Sequence, residues 1–109
     1  MGPIVSEAQL AGVTDHVERA LDDGATLLTG GPERDVPDGP FYPPTILTDV
    51  TNDMPIAREE VFGPVLAVLT FETEDEVLEK ANDSEFGLAS GVWTKDIQRG
   101  HRMADALEA

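Results

Sequence analysis

Residues able to do binding chemistry gather in one short stretch, Ala57-Arg58-Glu59-Glu60-Val61-Phe62-Gly63-Pro64-Val65. Two carboxylates precede an aromatic, a Gly-Pro turn and then Val65-Leu66-Ala67-Val68-Leu69. A carboxylate accepts hydrogen bonds from a sugar's two hydroxyls, and a neighbouring ring packs on a flat heterocycle. Glu60 and Phe62 are the candidate binding residues on that reasoning. The same residues also suit a plain solvated loop. Acids make up 22 of the 109 residues, so adjacent acidic pairs arise from composition alone, as at Asp22-Asp23. On spacing alone the plain loop is the commoner outcome of so short a motif.

The flanking residues say how such a loop would be held. Five apolar residues in succession predict a strand covered on both faces, with the apolar run continuing to Phe71. Gly63 tolerates the angles of a tight turn, and Pro64, having no N–H, suits a strand's first residue. Glu60 and Phe62 are therefore expected at the mouth of a buried strand, where α/β sheets usually bind ligands. Upstream, Asp53 as N-cap and Pro55 in the first turn predict a short helix reaching Arg58. That helix delivers Glu59 and Glu60 to the loop, with Glu59 facing solvent or pairing with Arg58.

The rest of the chain reads as support. Ser6 and Gln9 form a capping box ahead of Leu10, Val13, Val17, Ala20 and Leu21 at helical spacing, and Gly24 is a natural stop. His16 and Glu18 fall off that stripe and are expected in solvent. Ala25–Thr29 predicts a short strand closed by Gly30-Gly31-Pro32. That glycine pair is a turn rather than a phosphate cradle, because Pro32 removes a donor and no G-x-G-x-x-G pattern continues. From Arg34 to Pro44 runs a loop rich in Asp, Gly and Pro, whose Phe41 and Tyr42 are expected to cover the strand Thr45-Ile46-Leu47. Thr73 and Glu76 make a second capping box for a helix burying Val77, Leu78 and Ala81. Asn82-Asp83-Ser84 matches a glycosylation acceptor, set aside because no secretory leader is seen. Leu88–Trp93 predicts a strand, and its serine sits one place too late for G-x-S-x-G. Asp96 caps a last helix with Ile97, Met103, Ala104 and Leu107 inward. His16 and His101 lie on separate helices without a second ligand at metal spacing, so no metal site is expected. The alternation of elements predicts an α/β layered domain with a largely parallel central sheet, spanning residues 1–109 as a single domain.

Composition narrows the partners. At 40% hydrophobic the chain can bury a modest core, and its formal charge is −15. Such a surface repels phosphates and anionic lipids, so neither nucleic acid nor membrane is an expected partner. Lysine occurs only at Lys80 and Lys95, and the acids are spread along the chain. That distribution resembles proteins of salt-loving (halophilic) microbes, where a Debye length of about 3 Å near 1 M salt screens self-repulsion. With zero cysteines, disulfides, thiolate metal sites and thiol catalysis are excluded from these residues. No leader and no apolar run near ~18 residues is seen, which makes a cytoplasmic location the expectation.

An ordered set of motifs resembles the aldehyde dehydrogenase superfamily, whose members carry E-E-(I/V/T)-F-G-P-V at such a strand entrance. Gly2-Pro3, Gly24-Ala25, Gly30-Gly31, Phe41 and Pro44-Thr45 come before Glu60 and Phe62. Ala81-Asn82, Phe86-Gly87-Leu88-Ala89 and Thr94-Lys95-Asp96 follow them, in near-constant spacing. The resemblance implies an NAD(P)-dependent oxidation of an aldehyde to a carboxylic acid. It implies that Glu60 binds the nicotinamide-ribose hydroxyls of NAD or NADP, and that Phe62 packs beside the nicotinamide. The family's nucleophilic cysteine, general-base glutamate and dinucleotide loop have no counterpart here, so a C-terminal part of the catalytic domain is expected. That part should be inactive alone and bind NAD weakly at best, with the full-length form a homo-oligomer. The alternative is a non-catalytic, stand-alone acidic module that keeps the family's shape as an interaction surface.

Overall fold

The computed structural model describes residues 1–33 and 35–108; Arg34, where the expected loop begins, lies outside them, as does Ala109. Ser6 starts helix α1 (Glu7–Asp22), its hydroxyl accepting from the Gln9 N–H at 3.1 Å. Val13, Val17 and Ala20 are buried along its apolar stripe. Beyond the cap residue Asp23, Gly24 takes φ 107°. Gly24 N–H then reaches Leu21 O at 3.1 Å and Ala25 N–H reaches Ala20 O at 2.9 Å. This is a Schellman closure, which a glycine permits without a Cβ clash.

The residues group into two compact units, Met1–Thr70 and Phe71–Ala109. In the first, β1 (Thr26–Thr29), β2 (Thr45–Thr48) and β3 (Val65–Ala67) form a sheet in that order, with the short helix α2 (Pro55–Arg58) between β2 and β3. β1 and β2 are antiparallel, pairing Leu27 with Leu47, while β2 and β3 are parallel, pairing Ile46 with Leu66. The α/β class expected from the sequence is present, and the sheet is mixed, with one parallel pairing and one antiparallel. The chain turns back on itself between β1 and β2, whereas α2 supplies the crossover that a parallel pair requires. β2 is the central strand; Thr45 and Leu47 are buried and alternate with half-buried Ile46 and Thr48. Leu47 joins Val13, Val17, Ala20, Tyr42, Val50 and Ile56 in the core. Tyr42 covers β2 as expected. Its phenol is pushed up to about 12, first by burial and then by the Glu18 charge.

Two expectations in this unit are corrected. Asp53 is not the cap of α2: Met54 holds that place without a side-chain bond, and Pro55 is the first helical residue. The Asp53 carboxylate is engaged two residues earlier in the chain, accepting from the Thr51 hydroxyl at 2.6 Å, and this bond is the main reason its pKa is lowered. β3 is short and covered on one face only: Val65 and Ala67 pack against the core, while Leu66 on the other face is 57% exposed.

The second unit pairs α3 (Glu74–Asn82) with α4 (Ile97–Ala106). Thr73 caps α3, accepting from Glu76 N–H at 3.1 Å, while the Glu76 carboxylate accepts from Glu72 N–H at 2.7 Å. Asp96 caps α4 through the N–H groups of Gln98 and Arg99. Polar ties join the helices. Arg99 and Arg102 donate to Glu74, and the Asn82 side chain bonds Ala106 O and Glu108 N–H at 2.9 and 3.0 Å. Apolar burial is thin. Met103 is buried, Val77, Leu78 and Leu107 are half-buried, and Ala81, Ala104 and Ile97 are exposed, against expectation. Leu88–Trp93 is not a strand, since no neighbour among the described residues pairs with it and a strand's backbone groups need one. No helix among the described residues is long and apolar enough to cross a membrane.

Candidate functional site

The Glu59–Pro64 loop leaves the end of α2, where Glu59 N–H bonds Pro55 O at 2.9 Å, and enters β3. Pro64 needs no donor there, and its carbonyl accepts from the Thr45 N–H of β2 at 2.9 Å. The loop is thereby pinned to the central strand. Glu60 is exposed and has no hydrogen bond or ion pair among the described residues. Phe62 is 73% exposed and sits at φ 53°, in the left-handed region that an aromatic residue rarely occupies. Holding a residue there costs about 1–3 kcal/mol, so surrounding contacts must over-determine it.

Those contacts come from α1. The Gln9 side-chain amide donates to the carbonyls of Val61 and Phe62, both at 3.2 Å. Gly63 lies directly against the buried Val13; a Cβ placed on it would stand 2.5 Å from Val13 Cγ2. His16 Nε2 is 3.8 Å from a Glu59 carboxylate oxygen, and Arg19 is 4.0 Å from the same atom. Gln9, Val13 and His16 stand at positions that share a helix face. Two readings from sequence change here, for Gln9 and His16. Gln9 does not close the capping box with its side chain, which turns to the loop instead. His16 is half-buried rather than solvated. Glu59 is exposed, within the expectation that it faces solvent, and its carboxylate lies near His16 and Arg19 of α1, while Arg58 donates to Asn52 O at 2.5 Å. The signal for Gln9 was its place beside the apolar stripe, but nothing local marks a partner 52 residues away.

An unpartnered carboxylate beside an exposed ring, on a loop held from behind, can accept hydroxyl hydrogen bonds and cover one face of a flat ring. Glu60 and Phe62 are both exposed on this loop. A separate groove of about 600 Å³ lies within the second unit, walled by Phe71, Val77, Trp93, Met103 and Leu107, with Arg99 at its edge.

The Aldehyde dehydrogenase family profile matches residues 1–109. The chain is 53% identical to a betaine aldehyde dehydrogenase of Agrobacterium fabrum, covering 100% of this chain and 22% of the relative. A betaine aldehyde dehydrogenase of Brucella anthropi is 54% identical, with 100% and 23% covered. Among solved structures, the NAD+ complex of an aldehyde dehydrogenase from Bacillus cereus superposes with a TM-score of 0.94 at 50% identity, covering 100% of this chain and 22% of that one. The Mycobacterium tuberculosis aldehyde dehydrogenase complexed with NAD+ gives 0.93 at 41% identity, covering 98% and 22%. The chain thus spans under a quarter of the length of the relatives it matches.

Proposed function

The chain belongs to the aldehyde dehydrogenase family, and from that premise we propose that it is one part of the catalytic domain of an NAD(P)-dependent aldehyde dehydrogenase. The enzyme oxidises an aldehyde to a carboxylic acid, and this part supplies the nicotinamide-ribose contact. When bound, NAD or NADP supplies the hydride acceptor. The observation that carries the reading is the exposed, unpartnered Glu60 beside the exposed Phe62, on a loop held at Gln9 and Thr45.

Glu60 accepts hydrogen bonds from two ribose hydroxyls through its two oxygens, the stronger, charge-assisted kind. Phe62, 73% exposed, limits where the flat ring can rest. Placement of this kind can be worth several kcal/mol to a transfer step that depends on distance. These residues include no cysteine, so the nucleophile lies in another part of the protein and the chain alone is inactive. The curated relatives are betaine aldehyde dehydrogenases, which makes betaine aldehyde the first substrate to assay. A cationic aldehyde also suits a part of formal charge −15.

The stand-alone module is the weaker reading. Leu88 is 98% and Trp93 93% exposed, and a module shaped to exist alone buries side chains of that size. The test is Glu60→Gln in the full-length enzyme. Weakening a charge-assisted hydrogen bond costs about 1.5–3 kcal/mol, which lowers kcat/KM by about 10- to 150-fold. Wild-type hydride transfer and cofactor affinity in that variant would remove Glu60 from the mechanism.

A further inference from the structure

We propose that Gln9 is the positioning residue of the Glu60–Phe62 loop and, resting on the cofactor reading above, that it sets the cofactor contact from a distance. Gln9 sits in the first turn of α1, where its type suggests a capping role. Its backbone does meet that role, donating to the Ser6 hydroxyl at 3.1 Å. Its side chain does something else. One amide nitrogen donates to two successive carbonyls, Val61 O and Phe62 O, each at 3.2 Å. The two carbonyls belong to the peptide planes on either side of the Phe62 Cα, so one donor that holds both fixes how those planes turn about Phe62, where φ is a strained 53°. An amide with two hydrogens is suited to this, because each hydrogen can serve one carbonyl. Val13, on the same helix face, meets Gly63 directly after the clamp. Gln9 and Val13 together therefore grip the loop on both sides of Phe62. Glu60 lies one residue before the first clamped carbonyl, so its carboxylate is aimed by the same contact.

The discriminating substitution is Gln9→Glu. A glutamate at this position favours the helix start, completing the capping box with Ser6 and meeting the positive end of the helix dipole. It removes both donors to the loop and presents oxygen to oxygen. Helix and fold are thus kept while the clamp is lost. Gln9→Lys is the rescue, since an ammonium can again donate to both carbonyls. In the full-length enzyme, amide hydrogen exchange at Val65 and Thr45, whose N–H groups bond the loop carbonyls Gly63 O and Pro64 O at 2.8 and 2.9 Å, is measured without cofactor, alongside the NAD+ dissociation constant and the split between KM and kcat. Gln9→Glu is expected to speed loop exchange about tenfold, the scale of losing two net hydrogen bonds, with NAD+ binding weakened several-fold. Gln9→Lys is expected to restore much of both. Unchanged exchange in Gln9→Glu overturns the clamp, whatever happens to NAD+. Faster exchange with wild-type NAD+ affinity, in Gln9→Glu and Glu60→Gln alike, overturns the cofactor reading of Glu60 and the link from Gln9 to it.

Discussion

Gly63→Ala puts the loop's dependence on α1 to a quantitative test. The added methyl would lie 2.5 Å from Val13 Cγ2 and 3.0 Å from Cγ1, so one partner must move. Val13 is fully buried, and a β-branched side chain in a helix has one strongly preferred rotamer, which leaves its methyls little room. The loop has exposed residues on both sides, Glu60 and Phe62, and is the softer partner. Overpacking of this kind costs about 1–3 kcal/mol. Because the loop yields, most of that cost appears as displacement of Phe62 and not as global unfolding. The expected outcome in the full-length enzyme is NAD+ binding weakened by about 5- to 150-fold, with faster exchange at the Val65 and Thr45 amides that bond the loop carbonyls and a thermal midpoint close to wild type. Val13→Ala removes the two atoms in conflict and opens a small cavity of its own. In the double variant the two changes should compensate, giving a coupling energy that favours the pair. The steric reasoning is refuted if Gly63→Ala binds NAD+ as wild type, or if Val13→Ala recovers none of the loss.

Two further outcomes concern charge. The Glu74 carboxyl is held below its ordinary value, first by the hydrogen bond from Arg99 and then by that from Arg102. A depressed folded pKa stabilises above the unfolded carboxylate value and is lost as pH falls through the depressed one. The α3–α4 pairing should therefore loosen on acidification below the ordinary carboxylate range. In an acid titration of helix content, Glu74→Gln should flatten this limb, and a parallel wild-type curve would show that the bridges carry no such dependence. The formal charge of −15 predicts that helix content by circular dichroism rises as salt approaches about 1 M, where the Debye length is about 3 Å. Full folding in dilute buffer would defeat that reading.

What the sequence made legible was what local chemistry decides. Ser6, Thr73 and Asp96 each cap a helix, because a cap bonds an N–H only two or three residues away. Gly24 ends α1 for an equally local reason. Asp53 misled because two short-range bonds competed, and the Thr51 hydroxyl won over the helix N–H groups. Strand direction and coverage depend on partners far along the chain. The antiparallel pairing of Leu27 with Leu47 and the open face of Leu66 carry no local mark. Glu60 and Phe62 were legible as a pair of types in one loop. Their support was not, since Gln9 looks the same to a local reading whether its amide turns to Ser6 or to Phe62.

The failed strand at Leu88–Trp93 bears on what surrounds this part of the protein. Its residues are apolar enough to be read as a strand, yet Leu88, Trp93 and Val92 are 98%, 93% and 38% exposed. Fully covering a side chain such as Leu88 is worth about 1.5–3 kcal/mol, a gain that a sequence patterned this way ordinarily collects. The neighbouring groove of about 600 Å³ is walled by more of the same kind, Phe71, Val77 and Met103. Within Phe71–Ala109 the helices are joined chiefly by polar ties at Glu74 and Asn82, not by a core. Polar ties at a solvated surface are worth little each, and this unit leaves much of its own apolar surface uncovered. That is the pattern of a segment completed by other parts of a longer protein, in keeping with a chain that spans 22% of its relative's length.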